Sequence, residues 1–185
     1  MQSQTAQLNQ FLIGVEKKAF KMAYYAVSDT DDAMDIVQDS MLMLARKYLQ
    51  RPTTEWRPLF FRILQNKIKD CYRKRQSRGK LFSMFNRFRD EDDNEEDVVE
   101  LHAAPETELP DAVLSQAMSA EAISDAVALL PLRQQQAFLL RSWEGLSVDE
   151  TATAMSCSQG SVKTHHSRAV HKLRALLTEG DKVDE

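Results

Sequence analysis

Cysteine, glycine and proline are scarce in this chain: two Cys, five Gly and five Pro among 185 residues. Cys71 and Cys157 fall in separate helical patterns and form no CxxC pair, which argues against a disulfide framework and against a Cys/His metal site. So few glycines and prolines, with few β-branched runs, predict an all-α protein. No apolar run approaches the roughly 18 residues needed to cross a bilayer. The N-terminal MQSQTAQLNQ also lacks the basic and apolar regions of a secretion signal. A cytoplasmic protein without membrane insertion is expected. Catalytic constellations are missing as well. Of four histidines, His102 lies in an acidic stretch and His165, His166 and His171 in the last helix, so no hydrolase triad converges. Asp32, Asp35 and Asp39 have no Glu-x-x-His partners of the kind a di-metal bundle requires. The expectation is a non-enzyme with no cofactor and no metal.

What the chain does have is segregated charge. The net charge of -4 conceals a basic stretch, Arg62 to Arg89, with ten Lys/Arg and one Asp. It is followed by an acidic one, Asp90 to Asp111, with eleven Asp/Glu and no Lys or Arg. Apolar residues Leu8, Leu12, Val15, Ala19, Met22 and Ala26 recur at helical spacing and predict a first amphipathic helix, broken at Ser28 to Thr30. A second helix over Asp31 to Tyr48 sets Ala33, Ile36, Val37, Met41, Leu44 and Tyr48 against Asp32, Asp35, Gln38 and Asp39, a polar face suited to protein docking. Pro58 sits near the start of a third helix, running to about Lys74, whose inner face is Phe60, Leu64, Ile68 and Cys71. Its outer face, Arg62, Asn66, Lys69 and Arg73, is the basic stripe of a helix that faces nucleic acid, and Trp56 nearby offers a ring either for stacking on an unpaired base or for the core.

Periodicity fails from Gly79 to about Pro110, where crowded carboxylates resist compaction. The domain reading is therefore 1–80, a flexible acidic linker 81–111, and 112–180. Helical pattern resumes with Leu114, Met118 and Ala122, breaks at Pro131, runs from Gln135 to Trp143 and stops at Gly145. Ser147 and Glu150 have capping-box spacing, and Ser158 can cap the final helix, whose inner face is Val162, His166, Ala169, Leu173 and Leu176. Two short helices around the Ser156 to Ser158 turn form a helix-turn-helix pattern. The second helix is basic, and Gln159, Ser161, Thr164 and His165 project where base edges would lie. Arg168 and Lys172 suit phosphates, and His166 falls in phase with the core.

These stretches resemble the extracytoplasmic-function group of bacterial RNA polymerase sigma factors over about residues 8–80 and 112–178. DAMDIVQDSMLMLARKY resembles the group's docking helix, WRPLFFRILQNKIKDCYRKR its minus-10 helix, and LLPLRQQQAFLLRSWEGLSVDETATAMSCSQGSVKTHHSRAVHKLRALL its minus-35 domain. The resemblance implies that Asp35, Gln38 and Asp39 dock on the β′ clamp helices of core polymerase. It assigns Asn66, Asp70 and Arg73 to the minus-10 element, with the loop Leu49 to Trp56 capturing a flipped-out base. It assigns Lys163, Thr164, His165 and Arg168 to the minus-35 element. His165 stands where arginine is usual in the group, and Pro58 where a helix-friendly residue is usual. The β flap, promoter DNA and a restraining anti-sigma protein are the further partners implied. By the same analogy Asp90 to Asp97 would mimic nucleic acid. GSVKTHHSRAVHKL taken alone also resembles the recognition helix of LuxR-like regulators, but no α/β receiver pattern precedes it.

Overall fold

The computed structural model describes residues 3–78 and 120–180, and every element among them is helical. The acidic linker and the pattern expected from Leu114 and Met118 lie outside the described residues. The chain divides into two compact units, one built from the first three helices and the other from the C-terminal ones.

In the first unit α1 spans Gln4–Val27, α2 Thr30–Tyr48 and α3 Thr53–Arg78. Ser3 caps α1 by accepting from the Ala6 amide at 3.3 Å. Ser28 ends it in the left-handed conformation (φ 51°), its N–H donating to the Tyr24 carbonyl at 2.7 Å. A residue later Asp29 caps α2, accepting from the Asp32 amide at 2.9 Å, and Asp31 and Asp32 complete an acidic first turn that complements the helix dipole. The Ser-Asp-Thr break expected here is thus a stop and a start at adjacent residues. Leu8, Val15, Ala19 and Met22 of α1, Ala33, Ile36, Val37 and Leu44 of α2, and Phe60, Leu64 and Ile68 of α3 form the shared core. Phe60 meets Phe11 edge-on at 6.0 Å and Phe61 at 5.4 Å. Each such large side chain buried contributes about 1.5–3 kcal/mol. Pro58 is the sixth residue of α3, deeper than the first-turn positions whose N–H groups are spare. The helix continues through it at the cost of one backbone bond to Thr54, which lies on an exposed turn.

In the second unit α4 spans Ala120–Ala128, α5 Leu132–Phe138, α6 Val148–Met155 and α7 Gln159–Gly180. The helix expected from Gln135 to Trp143 starts earlier, behind Pro131, and its end is not α-helical. Leu139–Trp143 widens into a π turn, with the Glu144 N–H reaching back to the Leu139 carbonyl at 2.9 Å. Gly145 then takes φ 65°, the left-handed geometry its sequence position promised. Ser147 and Glu150 form a reciprocal capping box at 2.8 and 3.1 Å. Ser158 accepts from the Ser161 amide at 3.0 Å and starts α7. Helix α7 buries Val162, Ala169, Leu173 and Leu177, packing on α5 and α4. Leu177, rather than the expected Leu176, closes that face, since Leu176 is only half-buried. His166 packs as its phase required: its ring stacks on Phe138 at 6.4 Å, and its Nε2 lies 2.8 Å from the Ser142 hydroxyl.

Candidate nucleic-acid interface

The outer face of α3 is set by its inner one. With Phe60, Leu64 and Ile68 in the core, Arg62, Asn66, Asp70 and Arg73 fall one helical turn apart on the opposite side, and all four are exposed. Lys69, offset from that line, is half-buried. Between α2 and α3 runs a groove of about 310 Å³ lined by Tyr48, Leu59, Arg62, Ile63, Asn66 and Asp70, among others. Its apolar and aromatic walls suit a base face. The Asn66 amide and the Asp70 carboxylate present the donor and acceptor groups that read a base edge, and the Arg62 cation suits phosphate. Tyr48 was not expected to face nucleic acid. As the last residue of a helix it carried only a core signal in the sequence.

Trp56 does not stand among these groups. It is 1% exposed, packs on Phe11 with ring centroids 6.2 Å apart, and donates its indole N–H to the Tyr48 carbonyl at 3.1 Å. Of the two roles open to Trp56, the structure gives it the core. Burying the ring gains its whole apolar area, and Tyr48 satisfies its one polar atom.

The polar side chains of α2 separate by their partners. Asp35 and Gln38 are exposed, flanked by the exposed apolar side chains of Met34 and Leu42. Met34 and Leu42 fall outside the inner stripe of α2, and the sequence pattern gives them no role. Asp39 pairs with Lys67 of α3 at 2.7 Å, which links the polar face of α2 to the groove that Lys67 also lines. Asp32 turns inward along the unit. It pairs with Arg75, which also bonds the Val27 carbonyl and lies 3.5 Å from Asp29, so that one guanidinium ties the α1–α2 junction to the end of α3. Asp32 thus also serves as a structural tether.

Cys71, placed in the core by its periodicity, is only half-buried, with its Sγ 3.6 Å from the Asp32 carboxylate. Burial, then the Asp32 charge, pushes the thiol above its ordinary range despite Arg75 nearby. Both causes favour the neutral thiol, so its alkylation rate should rise with pH later than that of a free cysteine. Iodoacetamide rates across pH 7–10 for a Cys157→Ser variant measure this. A rate profile matching free cysteine would show that the Asp32 contact does not hold the proton.

In the second unit α6 braces α7. Gln159 donates to Asp149 of α6 at 3.1 Å, and Ser161 shares a 2.9 Å hydroxyl contact with Ser158, so both expected base readers also serve the turn. Lys163 and Thr164 are exposed, whereas His165 is half-buried at the edge of the outward face. Thr164, Ser167, Arg168 and His171 lie along the exposed line of α7, and Lys172 is half-buried beside it.

Comparison with known proteins agrees with this arrangement. The family model for sigma-70, region 4 matches residues 120–173. The ECF RNA polymerase sigma factor BldN of Streptomyces coelicolor is 32% identical over 165 residues, 85% of this chain and 55% of BldN. The RNA polymerase sigma-E factor of Streptomyces antibioticus is 35% identical over 85 residues, 44% of this chain and 47% of the relative. The chain thus spans about half the length of these curated relatives. Among solved structures, the sigma factor RpoE from Bartonella quintana, crystallised with the anti-sigma factor NepR, superposes with a TM-score of 0.61 at 25% identity, covering 96% of this chain and 98% of the other. No helix among the described residues is long and apolar enough to cross a membrane, and none of their His, Cys, Asp and Glu side chains cluster as a metal site. With a region 4 match at its C-terminus and relatives whose similarity extends over most of its length, the chain is similar to sigma factors of the extracytoplasmic-function group.

Proposed function

We propose that the protein is a promoter-specificity subunit of bacterial RNA polymerase, an alternative sigma factor that acts in the cytoplasm and performs no catalysis of its own. Residues 1–80 dock on core polymerase and melt and read the minus-10 element, residues 112–180 read the minus-35 element, and residues 81–111 link them. The observation that carries this reading is the α2–α3 groove, where Arg62, Asn66 and Asp70 meet apolar walls in the helix that resembles the minus-10 reader. A duplex-only binder has no use for such a groove. A protein that extrudes a base must offset a few kcal/mol of unstacking by enclosing it. Asn66 and Asp70 read the extruded base, while Arg62, Lys69 and Arg73 hold the backbone.

On α7, Thr164 and Lys163 reach base edges, with Gln159, Ser161 and His165 at the margins of that surface and Arg168 and Lys172 on phosphates. Asp35, Gln38 and Asp39 meet the β′ clamp helices, and the C-terminal unit meets the β flap. An anti-sigma protein restrains the factor, a reading supported by the complex in which the Bartonella relative was solved.

Run-off transcription tests the whole reading. Core polymerase with this protein should yield promoter-specific RNA without another sigma factor. A transcript that appears only when a second sigma factor is added would instead make the helix-turn-helix that of a LuxR-like regulator.

A further inference from the structure

Between α5 and α7 lies a shallow cup of about 360 Å³ lined by Gln134, Ser167, Arg168, His171 and Lys172. No carboxylate lines it, and each of the five side chains can present an N–H or O–H donor. Three carry or can acquire positive charge, so the cup is built for an acceptor-only anion. Its place on the helix tells which anion. His171 follows Thr164 by seven residues, which at 1.5 Å per residue is about 10 Å along the axis. Both side chains are exposed on the same line of α7. When the N-terminal end of α7 points into a major groove, a group two turns further along has passed the base edges and meets the sugar-phosphate strand at the groove wall.

The geometry points to this cup as a seat for one backbone phosphate of the minus-35 duplex, with His171 a phosphate ligand alongside Arg168 and Lys172. This assignment rests on the promoter-reading function proposed above. Gln134 gives the seat a second wall from α5, so the bound phosphate spans two helices. That contact holds α7 against the strand whatever the sequence in the groove, and His171 itself reads no base.

The test uses the reconstituted holoenzyme and a promoter duplex recovered by it from a randomised pool. His171→Ala should weaken binding about tenfold, equally on the selected duplex and on duplexes altered at single base pairs in the minus-35 element. Thr164→Ala should weaken the selected duplex alone. His171→Lys should restore affinity and steepen the salt dependence by about one phosphate contact, a gain that a packing role would not produce. Replacing phosphates one at a time by neutral methylphosphonates identifies the partner. One position should cost the wild type about tenfold and the His171→Ala form almost nothing.

If His171→Ala shifts base preference, or if every methylphosphonate costs both proteins alike, the cup is not a phosphate seat even though the holoenzyme binds DNA. Failure to recover any duplex would instead count against the promoter-reading function itself, and the assignment would fall with it.

Discussion

Trp56→Ala should unfold the N-terminal unit before it alters any contact with DNA. The indole is 1% exposed and meets Phe11, so removing it leaves a cavity that the helices cannot fill without repacking. Such truncations cost about 3–5 kcal/mol. The Tyr48 carbonyl also loses its indole donor. Urea unfolding followed by far-UV circular dichroism should show a transition at markedly lower denaturant. Trp56→Phe keeps most of the ring volume against Phe11 and forfeits mainly the hydrogen bond, about 1 kcal/mol, so promoter melting should survive it. A base-stacking Trp56 would behave the other way round, with native stability in the alanine variant and a loss confined to the melted strand. That pattern would return the residue to the interface.

The case of Trp56 shows where sequence reading reaches its limit. Helix positions, caps and the Gly145 stop were legible because each rests on local chemistry: the 3.6-residue stripe, the Ser147–Glu150 box and the Ser158 cap operate within a few residues of chain. The α3 stripe was legible for the same reason, since Phe60, Leu64 and Ile68 fix which way Arg62, Asn66 and Arg73 face. Partnerships across elements were not legible. Nothing local tells that Asp32 belongs to Arg75 while Asp35 stays exposed, because the partner is 43 residues away. Nor does periodicity tell the buried Trp56 from a stacking ring, which takes the Phe11 ring on α1 and the carbonyl eight residues back. The π turn at Leu139–Trp143 was invisible for another reason: its apolar residues fit an α-helix equally well, and only the backbone bonds distinguish the two. His165, which stands where the resembling group usually has arginine, lies at the edge of the outward face. The centre of that face belongs to Thr164.

Asp35→Lys should weaken association with core polymerase by about 10- to 100-fold while leaving stability within about 0.5 kcal/mol. Asp35 is exposed on α2 between Met34 and Leu42, so reversing its charge disturbs an outside partner rather than the fold. Asp39 should behave differently. Its carboxylate holds Lys67 at 2.7 Å, and Lys67 lines the groove beside Asn66 and Asp70. The pair is half-exposed, so breaking it costs at most about 1 kcal/mol of stability. The freed ammonium, however, adds a positive charge where a melted strand would pass. Asp39→Ala should therefore lower core affinity and raise affinity for minus-10 single strand together, and Lys67→Met should cancel only the second effect. Titration of labelled core polymerase reads the first quantity, and 2-aminopurine fluorescence in a promoter fork reads the second. Unchanged core affinity in Asp35→Lys would remove α2 from the docking face. Identical behaviour of the Asp35 and Asp39 variants in both assays would show that Lys67 takes no part in the groove.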